Sequence, residues 1–168
     1  DGGANWRVRG QGLRAEYVPP EQSHHPMYQD VHALVQCPAE PDRLWIQHHN
    51  GIFHSEEGGE TWREIVDVGV STFGFAVKVH PRDGKTAWFV PAIKDEKRVP
   101  DDGRFVVTRT RDGGKTWKDV TPATLKSWDK VSQIDAGHFD ENTAYIAVNA
   151  IRKDDMVPHV YRTHDGGA

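Results

Sequence analysis

The sequence predicts an all-β fold built from repeated units of four antiparallel strands. The first observation is a glycine-rich motif that occurs four times, as DGGANW at 1–6, SEEGGETW at 55–62, TRDGGKTW at 110–117 and THDGGA at 163–168. The second is that β-branched and aromatic residues alternate with polar ones between the motifs, in short segments bounded by turn residues. The third is that no segment carries a long apolar stripe with a period of 3.6 residues. A nearly fixed spacing of similar units is typical of repeat folds.

Each unit has the same order of predicted strands. The first strand is apolar or alternating, as in VHALVQCP, FGFAVKVHP and VSQIDAGHFD, and a turn rich in Pro, Asp, Gly, Glu or Asn follows it. A second strand comes next (LWIQHH, TAWFVPA, TAYIAVNA), and a third leads into the motif (GIFHS, RFVVTRT, HVYRT). A short fourth strand begins at the tryptophan that ends the motif. We therefore divide the chain into a lone fourth strand at 5–9, a first unit at 31–66, a second at 73–121, and three strands of a third unit at 131–164.

The motif itself predicts a tight turn between the third and fourth strands. A short carboxylate can accept hydrogen bonds from backbone N–H groups next to it in the turn. The glycines permit a positive φ where the chain reverses, and the tryptophan ring is expected to pack into the core. We assign this structural role to Asp1, Trp6, Ser55, Glu57, Gly59, Thr61, Trp62, Asp112, Gly114, Thr116, Trp117, Asp165 and Gly167.

The pattern Ser/Thr-x-Asp-x-Gly-x-Thr-Trp resembles the Asp box, or bacterial neuraminidase repeat, of sialidases, sortilin-like ectodomains and xyloglucanases. The resemblance covers the whole chain and implies a β-propeller whose blades each have four strands. Glu57 departs from the pattern by one methylene group. Because this motif occurs in propellers with unrelated functions, the resemblance implies the fold and leaves the activity open.

Counting strands predicts self-association. Three blades are too few to close a ring, since propellers have four to eight, and the strand at 5–9 supplies the piece that the last unit requires. We expect two chains to close a six-bladed ring as a homodimer, each N-terminal strand completing the partner's last blade; a homotrimer with nine blades is the alternative. The two ends fall within the same motif, and the segment from 130 onward resembles a different branch of Asp-box proteins. An engineered or recombined fragment acting as a structural scaffold is therefore the leading interpretation.

Composition excludes several classes of partner and cofactor. The formal net charge is -4, which does not favour nucleic acid or an anionic membrane. The single cysteine, Cys37, cannot form an internal disulfide. The sequence contains neither an apolar run of membrane-spanning length nor a signal peptide, and it does not specify a compartment. It also contains no glycine-rich phosphate loop, so we expect no cofactor.

The alternative function is a carbohydrate-binding or sialidase-like propeller with its site at the channel mouth. A sialidase requires three arginines that bind the substrate carboxylate, a Tyr–Glu nucleophile pair and an acid. The loops expected at this end contain candidates for these roles, although the Arg-Ile-Pro motif of sialidases has no counterpart, and we favour the absence of catalysis. The candidates are Arg14, Glu16, Tyr17, Arg98, Arg152 and Asp154, with Asp155 as an equivalent of Asp154.

Histidines supply the candidate metal ligands. Six of them fall between His24 and His54, and His24, His25 and His32 are the candidates for a divalent metal. His32 and His48 lie on neighbouring predicted strands and are expected to come close. No histidine spacing matches a zinc signature, and the motif acids lack the ligand positions of a 12-residue calcium loop. Structural histidines and no metal are therefore the leading expectation.

Overall fold

The computed structural model describes residues 2–99 and 103–167, which form three antiparallel sheets. Sheet 1 contains, in order, β1 (Val31–Gln36), β2 (Leu44–His48), β3 (Gly51–Ser55) and β4 (Arg63–Ile65). Sheet 2 contains β5 (Gly74–Val79), β6 (Ala87–Pro91), β7 (Thr108–Thr110) and β8 (Lys118–Asp119). Sheet 3 contains β9 (Lys130–Ala136), β10 (Ala144–Ala150) and β11 (Asp155–Thr163). Each strand pairs with its neighbour in sequence.

This architecture confirms the predicted all-β fold with antiparallel sheets of four strands. Single 3-10 turns occur at Pro20–Gln22, Pro26–Tyr28 and Ile151–Lys153. In the described ranges, no helix is long and apolar enough to cross a membrane.

The core lies between the sheets. Strands β1 and β2 of sheet 1 face β5 of sheet 2, and β5 in turn faces β9 of sheet 3. Between sheets 1 and 2, Trp45, Ile52 and Phe89 belong to one apolar cluster, with Trp117 packed against it. Between sheets 2 and 3, Trp88 belongs to the next cluster, with Ile146. Because sheets 1 and 2 and sheets 2 and 3 bury apolar residues against each other, the stack is held by contacts between neighbouring sheets.

A β-bulge interrupts the first strand of every sheet. The pairing with the second strand skips one residue between Val31 and Ala33, between Gly74 and Ala76, and between Val131 and Gln133. The extra residues are His32, Phe75 and Ser132. Bulges bend a strand and redirect a side chain, so each sheet presents one special residue near the start of its first strand.

The N-terminal segment covers the outer face of sheet 1. Leu13 is buried against Leu44, Ile46, Phe53 and Trp62. The backbone N–H of Trp62 donates to the Gln11 carbonyl at 2.8 Å. Gly12 has a φ of +94°, and a Cβ there would lie 2.1 Å from the Trp62 carbonyl oxygen, so only glycine fits this close approach.

Two predicted strands differ from the strands that form. Residues 104–110 were expected to form one strand, yet β7 contains only Thr108–Thr110. The ladder is interrupted at Val107, whose backbone N–H donates to the Thr121 hydroxyl at 2.9 Å. Residues 5–9 form no strand within the described chain. The predicted partner of that segment is a third strand from a second chain.

Phe89 offers a test of the packing between sheets. Its side chain is 0% exposed and its ring lies 5.8 Å from the Trp45 ring and 5.6 Å from the Trp117 ring. We expect Phe89→Ala to lower the free energy of unfolding by about 3–5 kcal/mol, because it leaves a cavity between sheets 1 and 2. Urea titration measures this change. Phe139→Ala removes a ring that is 97% exposed and is the matched control, expected within about 0.5 kcal/mol of the unmodified chain; equal effects of the two changes would contradict the assignment.

Candidate functional site

The motif turns are held by side chains that bond to their own backbone. In the turn at 110–117, Asp112 Oδ1 accepts from the N–H groups of Lys115 and Thr116, both at 2.9 Å. Its Oδ2 accepts from the Thr116 hydroxyl at 2.5 Å. Burial raises the pKa of Asp112, but the hydrogen bonds from Thr116, Thr110 and Lys115 outweigh that effect and lower it to about 2. These bonds make Asp112 a structural acceptor.

The Ser or Thr that opens each motif makes a second set of bonds. Ser55 Oγ accepts from Gly59 N at 3.0 Å, Thr110 Oγ1 from Gly114 N at 2.9 Å and Thr163 Oγ1 from Gly167 N at 3.0 Å. The glycine pairs all have positive φ, including +83° at Gly59 and +79° at Gly167. The hydroxyl therefore fixes the position of the second glycine, which has to adopt the left-handed conformation.

The remaining motif acids are held differently. The Glu57 carboxylate accepts from the Thr61 hydroxyl at 2.7 Å, and among the described residues it accepts no backbone N–H. Its longer side chain carries the carboxylate past the N–H groups of the turn. Asp165 Oδ1 accepts from Gly167 N at 3.0 Å, and Asp1 lies outside the described residues.

The tryptophans that end the motifs have very different exposures. Trp62 is 8% exposed beneath the N-terminal segment, and Trp117 is partly buried between Trp45 and Phe89. Trp6 is 90% exposed, although it rests on its own turn as Trp62 does: a Cβ on Gly3 or on Gly59 would lie 3.4 Å from the ring of the following tryptophan. Gly3 and Trp6 thus contact each other as Gly59 and Trp62 do, but the Trp6 ring is not packed between two sheets.

A cavity of about 500 Å³ between sheets 2 and 3 has the same surroundings as the slot that Trp117 fills between sheets 1 and 2. The residue that pairs with the first Ser or Thr of the motif aligns the three sheets with one another. In this alignment Trp45 and Trp88 occupy the same position of their sheets, and so do Phe89 and Ile146. Ile65 lies against Gly114, and Val120 lies against Gly167 in the same way. The cavity is lined by Trp88, Val120, Ile146, Tyr161 and Gly167. It is therefore the vacant counterpart of the Trp117 slot.

At the opposite end of the sheets, the arginine of the N-terminal loop is fully engaged. Arg14 Nε and Nη2 donate to the two Glu64 oxygens at 2.6 and 2.7 Å, and Nη1 donates to Glu16 at 2.6 Å. The Tyr17 hydroxyl donates to the Tyr28 carbonyl, and burial followed by the nearby Asp30 charge raises the Tyr17 pKa. The carboxylates that saturate Arg14 occupy the donors with which it would bind a substrate acid.

The other candidate residues are held in separate contacts. Arg98 pairs with Asp95 and lies 5.5 Å from the centre of the Phe75 ring. Arg152, in the 3-10 turn that follows β10, lies 5.8 Å from the centre of the Trp128 ring. Asp154 has a φ of 61° after the 3-10 turn at Ile151–Lys153, and Asp155 accepts from Val157 N at 3.0 Å and pairs with His159. Each arginine contacts a different set of side chains.

The three histidine candidates also separate. His24 Nδ1 is 2.8 Å from the Leu13 carbonyl, and His25 Nδ1 accepts from Met27 N at 3.2 Å. His32 instead meets Asp30 and His49, and these three residues each offer a ligand atom, all within 4.8 Å of one another. His48, expected near His32, is buried against Phe53, and burial lowers its pKa to about 4.

Sequence reasoning missed Asp30 and His49. Asp30 is the residue before β1, and His49 is the residue after β2; His49 N donates to the Asp30 carbonyl at 2.8 Å. Since Val31 pairs with His48, Asp30 lies opposite His49. The available signal was the antiparallel register of QDVH against QHHN, which places these two strand ends together.

No protein-family model and no curated protein sequence matches the chain. Several solved structures are similar to the chain. An ancestral GH74 enzyme matches with a TM-score of 0.58 and 19% identity over 82% of this chain and 17% of its own. The Niastella koreensis GH74 enzyme matches with a TM-score of 0.55 and 17% identity over 82% of this chain and 21% of its own. YCF48 bound to D1 peptide matches with a TM-score of 0.50 and 19% identity over 80% of this chain and 41% of its own.

These similarities show that the chain has a β-propeller-type fold. Each sheet is one blade. The chain spans only 17% and 21% of the length of the two GH74 structures. At this level of identity the comparison carries the fold alone.

The pKa of Asp112 predicts how acid affects this turn. A carboxyl whose pKa falls from 3.8 in the unfolded chain to about 2 in the folded chain stabilises the fold above pH 3.8, and this contribution is lost as the pH falls toward 2. We expect Asp112→Asn to be less stable than the unmodified chain at pH 7, and the difference to shrink between pH 4 and pH 2. Urea titrations across this range measure it. A difference that does not change with pH would contradict the hydrogen-bonded carboxylate.

Glu57 tests the effect of side-chain length. We expect Glu57→Asp to raise the free energy of unfolding by about 1 kcal/mol, because the shorter side chain places the carboxylate within reach of the turn N–H groups, as in Asp112. The reciprocal change Asp112→Glu is the matched control and is expected to lower it by a similar amount. Thermal or urea unfolding measures both. If both changes shift stability in the same direction, carboxylate reach does not explain the difference between the two turns.

Proposed function

We propose that the chain is a self-assembling propeller half. Two copies close a six-bladed ring, in which the N-terminal strand of each copy completes the last blade of the other and its Trp6 fills the other copy's vacant slot. The observation that carries the proposal is the pairing of a 90% exposed Trp6 with an unfilled cavity of about 500 Å³ that matches the Trp117 slot. An exposed aromatic ring and a complementary apolar cavity favour association.

The N-terminal segment supports the proposal because it already lies where the fourth strand of a preceding blade would lie. Arg7 Nη2 and Arg9 Nη2 contact Glu60 Oε1 at 2.6 and 2.7 Å, and Arg9 Nη1 donates to the Gly58 carbonyl at 3.1 Å. In sheet 1, Arg63 of β4 donates in a similar way to the Gly113 carbonyl of the next motif turn, at 2.7 Å. Arg7 and Arg9 thus bind the motif turn of sheet 1 much as Arg63 binds the motif turn of sheet 2.

Strand β11 supports the proposal from the other end. In the described chain it pairs with β10 on one side, and its other edge exposes Met156, Val157 and Val160, the last at 71%. In sheet 1, Phe53 of β3 pairs with Glu64 of β4. By the same register, Tyr161 would pair with the partner's Val8, and the partner's Trp6 would leave Gly3 and rest on Gly167. An exposed apolar edge strand is the usual site for adding a strand.

Two copies are a better solution than three. Three-bladed units in a pair make six blades, within the usual range of four to eight, whereas three copies make nine. The contact between copies is head-to-tail, so the copies form a closed ring only if the rotations that relate them add up to a full turn. A carbohydrate site held by arginines has less support, because Arg14 and Arg98 are already paired with carboxylates.

Light scattering after size-exclusion chromatography tests the proposal. We expect a mass of twice 18.9 kDa for the unmodified chain. Trp6→Ala should weaken dimerisation by at least about 30-fold, because a buried interface tryptophan commonly contributes 2 kcal/mol or more.

The matched control is Phe139→Ala, which removes an exposed ring that has no equivalent in the repeat. It should stay dimeric. Far-UV circular dichroism checks that the Trp6→Ala chain keeps its sheets. A folded monomer of the unmodified chain at tens of micromolar, or dimerisation of Trp6→Ala as tight as that of the control, would refute strand exchange; three times the chain mass would select the nine-bladed ring.

A further inference from the structure

The geometry points to a divalent transition-metal site formed by Asp30, His32 and His49, where the start of β1 and the end of β2 in sheet 1 meet β5 of sheet 2. His49 Nδ1 lies 3.2 Å from Asp30 Oδ2, and His32 Nε2 lies 3.6 Å from the same oxygen. A tetrahedral zinc ion with bonds of 2.0–2.1 Å holds neighbouring ligand atoms about 3.3 Å apart. The three side chains therefore stand close to coordinating positions.

The hydrogen bonds around His32 leave one nitrogen directed at the site. His32 Nδ1 is 2.7 Å from the Gly74 carbonyl, which can only accept, so Nδ1 carries the proton in the neutral ring. Nε2 then presents a lone pair toward the Asp30 carboxylate, and the side chain is only 10% exposed. A lone pair and a carboxylate that face each other are stabilised by a cation between them.

His49 has a complementary arrangement. Its Nδ1 is buried near Asp30 and makes no hydrogen bond to any described residue, and its Nε2 lies 3.6 Å from Asp95 Oδ2. The other Asp95 oxygen, Oδ1, is bound by Arg98. Ligating histidines usually donate their second ring N–H to a carbonyl or carboxylate, as His32 does to Gly74 and His49 can to Asp95.

Solvent can reach the cluster and supply a fourth ligand, because 54% of the Asp30 side chain is exposed. On its other side, His49 lines a cleft of about 410 Å³ together with Tyr17, Phe73 and Asp95. Three protein ligands with an open fourth position are typical of zinc sites that bind water or a substrate, whereas structural sites are closed by four. Two imidazoles and one carboxylate favour Zn²⁺ or Co²⁺ over Mg²⁺ or Ca²⁺, which prefer oxygen ligands.

The site is contained in one chain and does not depend on ring closure. The His32 and Phe75 rings stack at 4.6 Å, so the bulges of sheets 1 and 2 hold the metal-binding imidazole in place. Failure of dimerisation would leave the metal proposal intact, and absence of metal binding would leave the dimer intact.

Isothermal titration of the tag-free, metal-stripped chain with zinc chloride tests the site, and the visible absorption of Co²⁺ reports its geometry. We expect one ion per chain and the intense absorption bands of tetrahedral Co²⁺. His49→Gln and Asp30→Asn should each weaken Zn²⁺ affinity at least 100-fold. Asp95→Asn, which alters a residue behind the ligand, should weaken it about 10- to 100-fold.

His138→Ala and His24→Gln are the controls and should bind as the unmodified chain does. His138 is exposed beside Asp135 in sheet 3, and His24 lies in the N-terminal loop against Leu13. Thermal unfolding with a chelator present verifies that each variant is folded; Asp30→Asn alters an exposed carboxylate and leaves the core intact. The proposal is wrong if the unmodified chain binds no Zn²⁺, if the Asp30 and His49 variants bind as tightly as it does, or if the control variants lose binding equally.

Discussion

The packing of one tryptophan ring between adjacent sheets is the contact on which the rest of this fold depends. Trp117 joins Trp45 of sheet 1 to Phe89 of sheet 2, and Trp45 and Phe89 are among the largest fully buried side chains of the described residues. The motif turn positions the Trp117 ring between the two sheets. Asp112 and Thr110 bond to the backbone of the turn, which allows the paired glycines to reverse the chain within a few residues and start the fourth strand at the tryptophan.

This dependence explains why so much of the fold could be predicted from sequence. The turn chemistry is local, so the repeated Ser/Thr, acid, Gly and Trp mark the same place in every unit, and the alternating strands between them follow from their period. The predicted strand at 104–110 is interrupted at Val107, where the backbone N–H bonds to the side chain of Thr121 and not to a carbonyl of the neighbouring strand. Thr121 lies in another segment, so the pattern of residues 104–110 does not reveal this bond. The segment 5–9 forms no strand within the described residues, and the pairing proposed for it involves an edge far away in sequence.

The candidate site was much less predictable. His32 was identified from sequence, but its partner His49 was not, because side-chain alternation within a strand separates His48 from His49 and says nothing about the residue just past the strand end. Two features supply what sequence lacked: the register that sets Asp30 opposite His49, and the bulge at His32. The arginines illustrate the same limit, since Arg14 is neutralised by Glu64, fifty residues further along the chain.

The two proposals use opposite ends and different strands of each blade, and this separation has a consequence for the assembled ring. The histidine–aspartate cluster lies at the end that holds the β2–β3 turn and the link into β1, whereas the exchanged tryptophan enters beside the motif turns at the other end. Strand exchange would act on β11 and residues 5–9, so it would not involve the start of β1 or the end of β2, where the cluster lies. Two copies related by a rotation about the channel axis have their corresponding ends on the same face of the ring. A ring of two copies would therefore present both clusters on one face, on opposite sides of the channel, and would leave the other face to the turns that hold the ring together.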